Sequence, residues 1–360
     1  MRAPNSTFSN PLPFFFLFFL GAANACTKEQ SSAASQSSTG GASTSSTLGG
    51  GGNSSTSSNM GGAPGGSGGA GGSDAGGGAG GTPQNPNCAI PAGAPPNILE
   101  GKVAPGLVCT RFPTPLVAPR DVTIAPNGNV YATEMGGGRI VQWTPNGYLT
   151  IAEGLIAPIG LRVAPDGNLL VAEEGFHTVA KIDIDTGQRT VIADVGHNVT
   201  YLTLGPDGAA YVSSFQELAN TQKGIVYRVN LSTQVASPFA TGLNVPEGLF
   251  FDEQNRLHVA EWLLPSAVYR YTPGGGDITT ASQVGSGYQN IYGVTSDTKS
   301  GFFAADHAGK IVHVHSDGTS TDVLTNIGRP GGLWFTGTAL WIAEFVDFGQ
   351  TGSLLRVTAF

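Results

Sequence analysis

The sequence predicts an all-β chain: a six-bladed β-propeller closed by an N-terminal strand, preceded by a signal peptide and a disordered Gly/Ser linker. Three observations predict it. One phrase recurs with weakening fidelity, as "APRDVTIAPNGNVYATE" (118–134), "APIGLRVAPDGNLLVAEE" (157–174) and "VPEGLFFDEQNRLHVAEW" (245–262). Aligned on Asp121, Gly160, Tyr201, Gly248, Gly293 and Gly332, the units are spaced 39, 41, 47, 45 and 39 residues apart, a propeller-blade period. Within each unit the apolar period is two, which marks strands and excludes helical repeats.

Residues 1–25 read as a signal peptide. Arg2 supplies a weak positive start, and "PFFFLFFLGAA" is an apolar run too short to span a bilayer comfortably. "ANAC" (Ala23–Cys26) then offers two readings: an ordinary Ala-x-Ala cleavage site, or a lipobox in which Cys26 becomes the lipidated first residue. The tether that follows favours lipidation of Cys26. Residues 26–87 are almost wholly Gly, Ser, Ala, Thr and Asn, without apolar periodicity. No core can form there to offset chain entropy. At this length and composition the root-mean-square span is roughly 40 Å.

Residues 88–116 form the N-terminal closing segment. The last repeat stops at "SLLRVTAF" and lacks a fourth strand, whereas "GLVCTRFPTPLVAPRDV" has the form of a fourth strand leading into a first. The segment from Gly106 to Phe112 is therefore expected to pair onto the last blade. Ring closure removes exposed sheet edges. Of three cysteines, Cys88 and Cys109 remain once Cys26 carries lipid, and an exported chain can keep them as a disulfide that staples the closing strand. Two free thiols are the alternative.

Residues 117–360 hold the blades. Each opens with a short apolar strand such as Leu161–Val163. A Pro-Asp-Gly type turn follows, "PNG" at 126–128 and "PDG" at 165–167 and 206–208. These residues supply the fixed φ, the Asx turn and the positive φ of a tight hairpin. A second strand, a half-exposed third ("RIVQW", "VAKIDI", "IVYRV") and a fourth ("YLTIAEGL", "TVIADVG") complete the unit.

The formal net charge of −8, without basic runs, excludes a nucleic-acid binder. The folded region contains no G-x-S-x-G, P-loop, HExxH or CxxC. "DIDTGQ" (183–188) lacks the Gly and Glu of a calcium loop and reads as a turn. His313 and His315 share one face of a third strand, an exposed pair.

The P-x-G-L and PDG-x-L-x-VAE phrases resemble NHL-repeat proteins and the gluconolactonase (senescence marker protein) propellers across about 117–360. The resemblance implies a six-bladed propeller, with fold a poor guide to activity. It also implies a divalent-metal site in which Glu247 takes the place of the Asp of the family's P-D-G. Thr200 stands where that family has Asn, Ile159 where a substrate-contacting Asn is frequent, and Gly331 near the remaining acidic position. Glu247 is thus the metal candidate, and calcium or zinc is the cation implied.

In such blades the first strand starts, and the second ends, at one mouth of the central channel. The second strands end on Glu134, Glu173, Ser214, Glu261, Asp306 and Glu344. A feature repeated in nearly every blade is expected to do a structural job, accepting backbone N–H bonds from the next turn. A site should instead appear as departures from the repeat: Arg120 and Asp121, Asn198, Thr200 and Tyr201, Glu247, Tyr292, His307 and Arg329. Arg120, Glu247, Tyr292 and His307 are the ligand-binding candidates. His177 and His197 are expected in loops near the same mouth.

The expected function is that of an exported, lipid-anchored binding module for a small polar molecule or a partner protein. The chain would be monomeric, with no nucleic-acid partner and no membrane contact beyond its anchor, and would face the periplasm or the cell exterior. The alternative is a metal-dependent lactonase or related hydrolase.

Overall fold

The structure, a computed structural model, describes residues 87–92, 98–346 and 351–360. The signal peptide, Cys26 and the tether fall outside the described residues.

Six sheets form the blades, antiparallel except where Gly276–Asp277 adds in parallel to the outer strand Ala236–Leu243 of blade 3. Blade 1 runs through Pro119–Ile124, Val130–Glu134, Arg139–Thr144 and Gly147–Glu153. The two inner strands of the next blades are Pro158–Val163 with Leu169–Glu173, Asn198–Leu204 with Ala210–Phe215, and Pro246–Phe251 with Leu257–Glu261. Blades 5 and 6 follow with Ile291–Ser296 and Phe302–Asp306, then Arg329–Phe335 and Ala339–Phe345. The Pro-x-Gly turns close the inner hairpins as their chemistry requires, with Gly128, Gly167 and Gly208 all at positive φ.

The buried clusters lie mainly between neighbouring blades, and one also takes in Ile159, Tyr201 and Tyr292 near the axis. Leu161, Leu169 and Val171 of blade 2 meet Tyr131 and Ile140 of blade 1. Val122 and Val130 of blade 1 meet Trp341, Ala343 and Leu354 of blade 6, which closes the ring. Alternation along the strands supplies both faces of every sheet, so each blade buries one face against the blade before it and the other against the blade after.

The closing strand is Val108–Arg111, within the expected Gly106–Phe112, and it pairs antiparallel with Gly352–Thr358 of blade 6. Cys109 on it is disulfide-bonded to Cys88, with a Cα–Cα distance of 4.8 Å. Cys88 belongs to blade 5. Asn87–Cys88 pairs with Gly101–Val103, which adds to the outer strand Ser320–Thr325 of that blade. The disulfide therefore joins blade 5 to blade 6. This outer hairpin was not anticipated, because strands of two and three residues carry no readable period. Inside the closure, Arg111 is buried against Glu344 and donates to Ser353 Oγ (2.7 Å) and the Leu99 carbonyl (3.0 Å).

Candidate functional site: a cup at the channel mouth

A bulge repeated six times builds the site. In every blade the ladder between the first two strands breaks at the same place. Pro119 pairs with Glu134 and Val122 with Ala132, so Arg120 and Asp121 oppose Thr133 alone. The same irregularity falls at Ile159–Gly160, Thr200–Tyr201, Glu247–Gly248, Tyr292–Gly293 and Gly331–Gly332. A bulge frees residues from the ladder and re-aims their side chains. Here it frees the positions at which the six repeats disagree.

At the second bulge position four blades carry Gly, and the first strands pack backbone to backbone around the axis. A Cβ on Gly248 would overlap the carbonyl of Tyr292 and the amide of Val294. Blades 1 and 3 carry Asp121 and Tyr201 instead, and each of these bulges is braced by a hydroxyl opposite it. The Asp121 amide donates to Thr133 Oγ1 (3.0 Å), which donates to the Ile159 carbonyl (2.7 Å). The Tyr201 amide donates to Ser213 Oγ (3.1 Å), and Ser213 donates to the Glu247 carbonyl (2.7 Å). Tyr201, 1% exposed, reaches across to blade 1, where its hydroxyl donates to the Arg120 carbonyl (3.1 Å). Asp121 accepts from the Leu161 amide (2.9 Å) and from Arg162 (2.7 Å). Tyr201 and the Asp121–Arg162 pair thus put a floor across the channel, and the mouth above them is a cup.

Two rings line the cup. The lower ring is the first bulge position: Arg120, Ile159, Thr200, Glu247, Tyr292 and Gly331. The upper ring is the residue after each second-strand end: Met135, Glu174, Phe215, Trp262, His307 and Phe345. The Arg120 guanidinium carbon lies 5.0 Å from the Tyr292 ring centroid and 4.5 Å from that of Phe345, and its Nε points at Met135 Sδ (3.3 Å). The His307 ring stacks on Tyr292 at 3.8 Å, and Trp262 meets Tyr292 edge-on at 6.2 Å. Arg120, Glu247 and Tyr292 are about 5–6% exposed, while Glu174, Trp262, His307 and Arg329 are half-buried at the rim.

The four candidate residues Arg120, Glu247, Tyr292 and His307 therefore surround one cup. His177 and His197 lie outside both rings, and His197 contacts Gln216 at the surface. Sequence reasoning missed the upper-ring residues Met135, Glu174, Phe215, Trp262 and Phe345. The signal was present, since each follows the conspicuous end of a second strand.

Three polar atoms in the cup are buried and have no hydrogen-bond partner: Arg120 Nη1, Glu247 Oε2 and His307 Nε2. Buried polar atoms are nearly always satisfied, so three orphans in one cup mark a place where something else supplies the bonds. Burial works against the Arg120 charge, but Tyr292, Tyr201 and Glu247 more than offset it, and its pKa is held above the usual value. Burial pushes the Tyr292 phenol up to about 12 and holds the Glu247 carboxyl well above the carboxylate range, against the pull of Arg120. Burial also lifts Glu174 to about 7. Burial, then Arg120 and Arg329, drive His307 well below its usual value, so it is neutral.

The acidic ring is structural. Glu134 accepts from the Val117 amide (2.6 Å), Glu261 from those of Asn244 and Val245 (2.7 and 2.6 Å), Asp306 from that of Gln289 (3.2 Å) and Glu344 from that of Gly328 (2.8 Å). Most donors belong to the turn entering the same blade, but Asp306 also accepts from the Ala308 amide (2.9 Å) in the turn that follows, as the sequence suggested. The divalent-metal set does not assemble either. Thr200 Oγ1 is engaged with Ser213 and the Pro246 carbonyl, Ile159 is apolar, and Gly331 has no side chain. The one charged partner the lower ring gives Glu247 is the fixed cation Arg120. Among the described residues no group of three or more His, Cys, Asp or Glu side chains could hold a metal ion. The residues around Glu247 thus do not fit the divalent-metal set that the resemblance implies.

Solved structures share this architecture. A gluconolactonase from Xanthomonas campestris is 16% identical and superposes with a TM-score of 0.57 over 72% of this chain and 89% of its own. The calcium-binding protein regucalcin from Agrobacterium tumefaciens is 16% identical, with a TM-score of 0.57 over 68% and 92%. The PQQ domain of pyranose dehydrogenase from Coprinopsis cinerea is 14% identical, with a TM-score of 0.56 over 74% and 99%. At such identities the likeness establishes the fold. No curated protein sequence matches the chain. The family model for the SMP-30/gluconolactonase/LRE-like region matches residues 121–340, from the bulge of blade 1 to the second strand of blade 6. With more than half its length matched, the chain belongs to the SMP-30/gluconolactonase/LRE-like family.

Proposed function

We propose that the propeller is a binding module that takes a small polar molecule in the cup, and that it is exported and tethered through a lipid on Cys26. The observation that carries the binding reading is the convergence of three orphaned polar atoms on residues where the repeats depart from one another. The aromatic side chains of Tyr292, Trp262 and Phe345 keep these groups in place, so little ordering remains to oppose binding. Titration calorimetry of the full chain with neutral sugars, sugar acids and lactones tests it. Saturable binding that falls at least tenfold in Glu247→Ala supports the cup. Binding unchanged in both Glu247→Ala and Tyr292→Phe removes it. Export and anchoring are tested by palmitate labelling in a bacterial host, which should disappear in Cys26→Ser.

A second reading, hydrolysis of a lactone, is favoured by family membership and by one further feature. Glu174 at the rim titrates at about 7, where a general acid or base works best. Lactone hydrolysis in the presence of a chelator, with a pH profile that loses its limb near 7 in Glu174→Gln, would establish it. No turnover of any lactone would end it.

A further inference from the structure

We propose that the cup selects a small carboxylate-bearing molecule, whose carboxylate sits on the Arg120 guanidinium without the help of a metal ion. This rests on the cup being a ligand site and adds the charge of what it takes.

Among the described residues three arginines are buried: Arg111, Arg120 and Arg162. Arg111 and Arg162 each meet a buried carboxylate, Glu344 and Asp121 respectively. Arg120 is buried to the same degree, yet no carboxylate of the described residues is ion-paired with it, and Glu247 and Glu174 act on it only from farther off. A buried charge is expensive unless it is paired. Its contacts are the ring and hydroxyl of Tyr292, the face of Phe345 and the sulfur of Met135, which hold the guanidinium still without neutralising it. The tyrosines that favour the charge are neutral phenols at pH 7. One edge of the guanidinium is left, at Nη1, with no partner.

The surroundings fit a single negative charge. Arg329 and Arg120 together press on His307, so this side of the cup carries positive potential. Glu247, held towards its protonated form, presents Oε2 without a partner and can donate to an anionic oxygen. A planar monoanion uses one guanidinium edge and one carboxyl donor. A dianionic phosphate would bring a second charge up to Glu247 and Glu174. The guanidinium also stands in the ring where the family resemblance calls for a divalent cation, and it supplies a positive charge that no chelator removes.

The test is thermal unfolding of the full chain in Tris buffer with EDTA. The probes are acetate, propionate, benzoate and gluconate, set against acetamide, propionamide, benzamide, glucose and inorganic phosphate. The expected result is a saturable rise in midpoint with at least one carboxylate. Its apparent affinity should be at least tenfold better than that of the matching amide, or of glucose for gluconate, and unchanged by added calcium or zinc. Arg120→Gln should abolish the rise, and Arg120→Lys, which keeps the charge but moves it, should weaken it about tenfold. If Arg120→Gln does not fold, the lysine variant and the amide series still decide. Equal protection by a neutral probe, lost in Glu247→Ala, would overturn the anion while leaving the cup as a binding site. Stronger protection by phosphate, or protection that requires calcium or zinc, would overturn the carboxylate class. No protection by any probe would overturn both the inference and the cup.

Discussion

Replacing Arg120 by Met should leave the free protein about as stable as before, although Arg120 is one of its most buried charges. The comparison is with Arg162→Met. There the substitution strands Asp121, which is fully buried and loses a partner at 2.7 Å. Removing one member of a buried pair costs about 3–5 kcal/mol. In Arg120→Met the terms oppose one another. Two cation–π contacts are lost, worth up to about 2 kcal/mol each when desolvated. An ion without a countercharge also leaves the interior, which relieves a penalty of several kcal/mol. The methionine fills much of the same space. The net change should lie within about 1 kcal/mol of zero, or on the stabilising side. At about 2 °C per kcal/mol for a domain of this size, Arg162→Met should lower the midpoint by roughly 6–10 °C and Arg120→Met by no more than about 2 °C. Calorimetric midpoints at one scan rate, on dialysed protein, measure both. If Arg120→Met falls as far as Arg162→Met, Arg120 is a structural ion, and the case for an external counter-ion collapses.

Glu174 should give the fold a pH dependence that a glutamine removes. Its folded pKa of about 7 lies above the ordinary 4.5, so its contribution is fully present below about pH 4.5 and is lost as pH rises through 7. Urea unfolding should find Glu174→Gln equal to the parent at pH 4.5 and more stable by up to about 3 kcal/mol at pH 8; a constant offset would contradict this. Cys88→Ser should cost about 3 kcal/mol, the loop entropy of a bridge spanning 21 residues. A reducing agent should bring the parent protein down to the variant's midpoint and leave the variant where it is.

The blades were legible because each must satisfy the same local chemistry. A turn residue at positive φ, a period of two, and apolar residues on both sheet faces leave marks that survive divergence. The ring closure was legible for a subtler reason: a missing strand at one end of the repeat and a spare one at the other. What escaped was the hairpin that carries Cys88 onto blade 5. Its strands are too short to show a period, and their pairing with Ser320–Thr325 is a contact between distant parts of the chain.

The site was legible at one of its two levels. Arg120, Glu247 and Tyr292 stand out because they occupy a bulge position where no residue type recurs, so nothing in the fold demands them. Of the upper ring only His307 was legible; the other five residues were hidden by their neighbours. Glu134, Glu173, Glu261 and Glu344 draw the eye, yet they are held by entry turns and by Arg139, Arg189 and Arg111. The residues beside them, from Met135 to Phe345, are the ones that face the cup. A pattern in the chain could also have revealed the floor. Opposite each bulge stand Thr133, Ala172, Ser213, Ala260, Ala305 and Ala343. The two hydroxyls occur only in the blades whose second bulge residue is Asp121 or Tyr201, and the four alanines occur only where it is glycine. A side chain at that position forces neighbouring first strands to keep their spacing by other means, and the hydroxyl bridges the bulge amide to the next blade's carbonyl. The departures in blades 1 and 3 are therefore compensated within the scaffold. Among the described residues Arg120 Nη1 and Glu247 Oε2 have no such compensation, and the proposed ligand site rests on this difference.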